Sequence, residues 1–207
     1  MIATVRKKTS IRLISWCVEF LFVLLLLLLA FNCALQRFDV IGPSMEPQLH
    51  NNESMLVDKI SYLFREPQRG DVVVFVAPPQ PNMNYVKRII GLPGDVISIE
   101  NGRATVNGVR LHEFYVEPRR MGAAPGDKQI HSLIVPKDSY FVMGDNRIDS
   151  YDSRSWGFVP RKNLIGRAVM VYWPINQDNS GFLQDVSSVF AGVQNHILPV
   201  NTGNRSP

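Results

Sequence analysis

The sequence predicts a mainly β domain standing behind one transmembrane helix. Three observations predict it. Short runs rich in Val, Ile, Tyr and Phe recur between residues 54 and 173, each bounded by turn residues. Asn101-Gly102 and Asn107-Gly108 each separate two such runs, a strong local signal for a hairpin. An apolar stretch, residues 13–35, follows a short basic tail and holds one charge, Glu19.

The N-terminal elements come first. Arg6, Lys7, Lys8 and Arg12 give residues 1–12 four positive charges and no acid. The chain has 22 Lys and Arg against 18 Asp and Glu, so setting those four aside leaves 18 of each. The basic balance belongs to the tail and not to the domain, which argues against a nucleic-acid binder. The next stretch, LISWCVEFLFVLLLLLLAFNCAL, would span roughly 34 Å as a helix, enough for a bilayer core. Glu19 lies near its basic end, where it can reach the interface or pair with Arg12. A cleavable signal peptide is the alternative, because Phe20 to Phe31 also fits an h-region. Against it, AFNCALQ offers no good pair of small residues before a cut. The expectation is an uncleaved single-pass anchor in the plasma membrane, with the N-terminus cytoplasmic and residues 36 onward outside.

Cys17 and Cys33 both fall in this anchor and would lie about 24 Å apart on a helix, too far to bridge. The domain therefore has neither a disulfide nor a cysteine ligand. Its histidines, His50, His112, His131 and His196, have no metal-ligand spacing. No metal and no cofactor are expected.

The predicted strands are 54–60, 71–76, 84–90, 95–100, 103–106, 109–112, 132–135, 139–144 and 168–173, arranged as a Greek-key or barrel-like set. The prolines of APPQPN make residues 77–82 a loop. Beyond Ile175, the residues Phe182, Leu183, Val186, Val189, Phe190, Val193 and Ile197 share one helical face, with Pro199 ending the pattern. That predicts an amphipathic helix in the tail 176–207, docked on the domain. A membrane-surface helix would carry Lys or Arg on its polar face, and there is none.

The chemistry centres on three stretches. In DVIGPSMEPQL, residues 39–49, Pro43 and Pro47 flank Ser44 and hold one hydroxyl on a rigid loop. In NYVKRIIGLPGD, residues 84–95, strand alternation sends Lys87 and Arg88 to opposite faces, both apolar. Burial disfavours an ammonium, so a buried lysine can be neutral near pH 7 and take a serine proton. Arginine does not deprotonate in proteins, so only Lys87 of the pair can be that base. Taken alone, Lys87 could equally be a strand lysine whose amine reaches water, or a guard on an edge strand. In GDNRIDSYDSRSWGFVP, residues 144–160, five charges crowd one loop. Taken alone, that loop could be a hydrated turn with surface ion pairs.

Together and in this order, behind an anchor, these stretches resemble the type I signal peptidases. The resemblance covers residues 1–173 and rests on SMEP (44–47), RGDVVVF (69–75), KRIIGLPGD (87–95) and GDNRIDSYDSR (144–154). It implies a membrane-anchored serine protease with Ser44 as nucleophile, Lys87 as general base and Ser150 holding the lysine amine. Asp145, Arg147, Asp152 and Arg154 would brace the loop beneath. It implies an antiparallel β catalytic domain, residues 36–175, with a smaller β insert at about 100–135. It also implies exported preproteins as substrates, cut after small residues, and work at the lipid bilayer near the secretion translocon. Gly42 stands where some members carry a serine that joins the nucleophile's amide in the oxyanion hole; the Ser44 amide remains.

The anchor fits this independently. Ser44 follows Leu35 by nine positions, which reach only about 30 Å fully extended. The hydroxyl must work close to the membrane, where a signal peptide presents its cleavage site. Three other readings stay open. Self-cleaving repressors share the dyad, but they are soluble and carry a DNA-binding module. A silent membrane-anchored β domain would have no need of both Ser44 and Lys87. An organelle processing peptidase shares the superfamily.

Overall fold

The computed structural model describes residues 15–26, 28–29, 34–175 and 178–195. Residues 15–26 and 28–29 are helical. Among the described residues no helix is long and apolar enough to cross a membrane. The expected anchor is only partly covered, because its residues 13–14, 27 and 30–33 lie outside the described residues, as do the tails 1–12 and 196–207. Residues 1–36 and 37–207 are two compact units, each taken by itself.

The larger sheet is built from β1 (Leu35–Asp39), β2 (Ser54–Asp58), β3 (Val72–Ala77), β4 (Gln80–Gly91), β9 (Ser139–Met143), β10 (Val159–Pro160), β11 (Leu164–Trp173) and β12 (Gly181–Phe182). Its order is β1-β2-β11-β3-β4-β9-β10, with β12 on β11. A second sheet holds β5 (Val96–Glu100), β6 (Arg103–Val106), β7 (Val109–Arg110) and β8 (Ile130–Ile134) in the order β7-β6-β5-β8. The pairings from β2 onward are antiparallel. Both sheets are open paths with free ends, not a closed barrel.

β3 explains why the large sheet is central. Its VVVFVA run is buried on both faces, so Val72 and Val74 join one apolar cluster while Val73 and Phe75 join another. A continuous apolar run is what a doubly covered strand requires. The two Asn-Gly pairs turn the chain as expected. Asn101, Gly102, Asn107 and Gly108 all have positive φ, the geometry whose twist matches a tight hairpin.

Two expectations are corrected here. The loop expected at 77–82 is only the turn at Pro78-Pro79, since β4 already begins at Gln80. Pro81 is tolerated in that strand because it falls where the register slips between Ala77↔Gln80 and Val76↔Asn84, and β9 pairs with β4 only from Arg88 onward. The described part of the tail does not form a continuous helix. Phe182 is drawn into pairing with Met170 and is 83% exposed, and the only helical piece is the 3-10 turn Ser187–Phe190. Val186, Phe190 and Val193 are nonetheless buried, packed on the core of the second sheet. The apolar spacing identified residues that bury but not the backbone that buries them.

Gly102 binds the second sheet to what lies beneath it. A side chain there would run into the Gly122 backbone, whereas one on Gly108 would meet nothing. Both glycines have positive φ, so alanine costs each about 1 kcal/mol of backbone strain. Gly102→Ala should lose about 2 kcal/mol more than Gly108→Ala because of the collision. Urea unfolding of the detergent-solubilised chain, with the two variants side by side, checks this; equal losses would contradict it.

Candidate active site

The turn between β1 and β2 fixes Ser44 from below and from the side. Its neighbours Met45 and Leu49 are fully buried and anchor the turn in the core. The Ser44 and Pro43 carbonyls accept hydrogen bonds from the Asn146 N–H at 3.1 Å and Asn146 Nδ2 at 3.2 Å. Asn51 Oδ1 accepts the Gly42 N–H at 2.7 Å. The serine is thus held against the loop that follows β9.

Lys87 comes from the middle of β4, opposite Val73, and Arg88 sits opposite Val72. Alternation separates them as expected. The Lys87 Nζ lies 2.6 Å from Ser44 Oγ, within hydrogen-bond reach. The lysine is 5% exposed, with its amine 5.6 Å from the centre of the Tyr85 ring. Burial pushes the amine down from 10.5 to about 8, partly offset by Asp152 and Asp145, which pull it up. Arg154 pushes it down further, and Asp149 pulls it up. With that value about a tenth of this lysine is a free amine at pH 7 and about half at pH 8, beside a serine hydroxyl.

The loop after β9 supplies the support. Asp152 is fully buried and accepts five hydrogen bonds, from Ser150 Oγ at 2.7 Å, Gly144 N at 2.9 Å, and Arg154 N, Nε and Nη2 at 3.2, 2.9 and 2.8 Å. Burial alone would raise its carboxyl, but the Arg154 guanidinium and the other donors outweigh that and hold it low. Gly144 sits where a side chain would strike both Ser150 Oγ and the Ser44 carbonyl, so the loop can approach the nucleophile only through glycine.

Ser44 and Lys87 are therefore brought together. Ser150 lies in the same cluster, but its hydroxyl proton goes to Asp152, and no hydrogen bond joins it to Lys87. That bond aims its lone pairs elsewhere, free to accept an N–H. Asp152 and Arg154 pair directly, whereas Asp145 and Arg147 do not pair with each other. Asp145 takes Arg88 through two bonds of 2.8 and 2.6 Å, and Arg147 takes Glu113. Arg154 also reaches Asp127 at 2.7 Å. Arg88, Glu113 and Asp127 are the supporting residues that sequence reasoning missed. Alternation had placed Arg88 opposite Lys87; nothing in the sequence singled out the two carboxylates.

The dyad opens onto a cleft of about 280 Å³ lined by Phe38, Ile41, Val74, Tyr85, Val86 and Tyr151 among others. A larger cavity, about 510 Å³, lies between β3, β11 and residues 183–187 and holds neither Ser44 nor Lys87. Among the described residues no histidine bonds to the serine; His50 contacts Glu53 at 3.1 Å instead. Among the described residues no group of His, Cys, Asp and Glu is placed to hold a metal ion. The arrangement is a serine hydroxyl beside a buried lysine amine, both lining one largely apolar cleft.

A family model described as signal peptidase, peptidase S26, matches residues 13–173. The signal peptidase I of Leptolyngbya laminosa is 45% identical over 141 residues, 65% of this chain and 66% of that protein. A probable signal peptidase I-2 of Synechocystis is 46% identical over 137 residues, 64% of this chain and 60% of that protein. The chain therefore spans just under two thirds of one of these relatives and less of the other. Signal peptidase I P of Bacillus subtilis subsp. natto is 37% identical over 177 residues, 83% of this chain and 94% of that protein.

The base leaves a mark on stability. With its amine near 8 in the fold and near 10.5 when unfolded, Lys87 must shed a proton on folding between those values. The cost is full below pH 8, shrinks from 8 to 10.5, and is gone above. Lys87→Met should therefore stabilise the chain at pH 7 by about 1–3 kcal/mol. Thermal unfolding of both forms at pH 7 and pH 10 should show that advantage fading on the alkaline side.

Proposed function

The chain belongs to the signal peptidases of peptidase family S26, and we propose that it removes N-terminal signal peptides from exported preproteins as a membrane-anchored serine endopeptidase. One observation carries this reading: the 2.6 Å contact between a buried lysine amine and a serine hydroxyl. Neutral Lys87 takes the Ser44 proton as Oγ attacks the scissile carbonyl. The resulting ammonium gives that proton to the departing amine, leaving an acyl-enzyme on Ser44. Lys87, neutral again, then takes a proton from the water that attacks the acyl carbonyl, and Ser44 is restored. The Ser44 N–H points a donor at the developing oxyanion. Ser150, whose own proton goes to Asp152, would accept a hydrogen bond from the Lys87 amine during the reaction and so orient it toward Ser44. Asp145, Arg147, Asp152 and Arg154 hold the loop that carries it.

Binding uses the sheet itself. Asn84, Tyr85 and Val86 of β4 pair with β3 on one side only, so their other edge can take an extended peptide as an added strand. The cleft beside Ser44 is about 280 Å³ and lined largely by apolar side chains, which suits small residues before the cut. Residues 13–35 form the single-pass anchor, residues 1–12 stay in the cytoplasm, and the peptidase domain 36–175 works outside near the translocon. Residues 100–135 are the insert.

Ser44→Ala, Lys87→Ala and Lys87→Arg should each abolish cleavage of a preprotein, since arginine keeps the charge but takes no proton. Changing His50, His112, His131 or His196 to Ala should leave substantial activity, and a folded but inactive histidine variant would overturn the dyad.

The rate should rise with pH through about 8, because activity needs the free amine. Ser150→Ala should depress kcat across the profile without moving KM much, and by less than loss of Lys87. A kcat/KM series against pH checks both; control by a group near 6.5, the ordinary histidine value, would refute the amine base.

The topology has its own test. Protease added outside right-side-out vesicles should digest the C-terminal domain. Protection until lysis would reverse the orientation.

A further inference from the structure

We propose that Asp149 is a specificity-determining residue, which makes the cleft favour a cationic substrate side chain over an anionic one within two residues of the bond cut. The proposal rests on the peptidase reading above and adds a charge preference to it.

Three residues that line the cleft can carry charge: Asp39, Lys87 and Asp149. Asp39 accepts a hydrogen bond from Ser54 Oγ at 2.7 Å. Lys87 acts when it is neutral. Asp149 is exposed, and its carboxylate has no hydrogen bond or ion pair among the described residues. Its backbone is fixed, since its N–H donates to the Asn146 carbonyl at 3.2 Å and Ser150 beside it is held by Asp152. The contrast with its surroundings is plain. Asp145, Asp152, Asp127 and Glu113 each have an arginine partner. The loop thus neutralises the carboxylates around its core and leaves one, at the cleft, uncompensated.

That charge reaches the reacting centre, where it pulls the Lys87 amine upward. A scissile carbonyl seated on Ser44 Oγ places the flanking residues within about 4–8 Å along an extended chain. Their side chains therefore share the cleft with Asp149. At an exposed site the preference amounts to about three- to fivefold, and salt weakens it.

The experiment measures kcat/KM for a neutral parent peptide and for derivatives carrying one Lys or one Glu at each of the two positions on either side of the cut. The enzymes are the full chain in detergent as wild type, Asp149→Asn and Asp149→Lys. Comparing Lys with Glu peptides on one enzyme cancels any effect of Asp149 on the base, because both substrates meet the same lysine. Wild type should prefer Lys by about three- to fivefold at one or more positions in low salt, and less at about 1 M salt. Asp149→Asn should abolish the preference and Asp149→Lys should invert it. A wild type without preference, or one whose preference survives in Asp149→Asn, overturns the proposal. The neutral peptide separates the two readings: if wild type fails to cut it, the peptidase reading itself falls. If wild type cuts it and Ser44→Ala does not, only the role of Asp149 is at stake.

Discussion

Burial of one lysine amine is the constraint from which the rest of the site follows. A primary amine becomes a base near neutrality only when its ammonium is made costly, and water is the cheapest way to lose that effect. Lys87 is therefore placed mid-strand between covered faces, where its stem cannot extend to solvent. Once the amine is there, nothing nearby can be left to chance. A stray carboxylate would restore the ammonium, and a stray cation would make the amine too weak a base. The buried carboxylates beside it, Asp145 and Asp152, are accordingly each paired with an arginine at bonding distance, while Asp149 at the exposed edge is not.

Those pairs also join the two sheets. Arg147 donates to the Gly102 carbonyl and Glu113 on the side of the second sheet, and to the Gly144 carbonyl on the side of the catalytic loop. Arg154 does the same between Asp152 and Asp127. Each guanidinium is fully buried, and its planar fork fixes direction as well as distance. A loop whose regular structure is limited to the one-turn helix Ser153–Trp156 and the two residues of β10 acquires in this way the rigidity that one short contact demands. The second sheet is thus part of the support for the base, although it contributes no residue to the dyad.

Much of this was legible in the chain. Ser44 between prolines, Lys87 amid strand residues and the charged string from Asp145 to Arg154 are local patterns, and local patterns survive in sequence. The Asn-Gly hairpins and the doubly apolar β3 were legible for the same reason. Glu113 and Asp127 were not, because their roles come from partners 34 and 27 residues away and their own neighbourhoods look like ordinary surface. The tail failed differently. Its apolar spacing fits a helix, but pairing of Phe182 with β11 and the interruption at Gly181 took the backbone elsewhere, while Val186, Phe190 and Val193 still found the core. Burial was encoded more strongly than conformation.

The balance of the buried charges carries a final consequence. Arg88, Arg147 and Arg154 face Asp145, Glu113, Asp152 and Asp127, three cations against four carboxylates. Apolar side chains of equal volume would hold the loop as firmly as buried ion pairs, and often more so. They could not set a proton affinity. Desolvation by itself would hold the Lys87 amine lower still, giving a base that is free more often but accepts a serine proton less well. Asp152 and Asp145 work against that and pull the amine up, so that it stands at about 8. A base is most effective when its affinity for the proton lies near the working pH. Those two carboxylates thus offset part of the cost of burial and hold the lysine amine where it is suited both to take a proton and to return it.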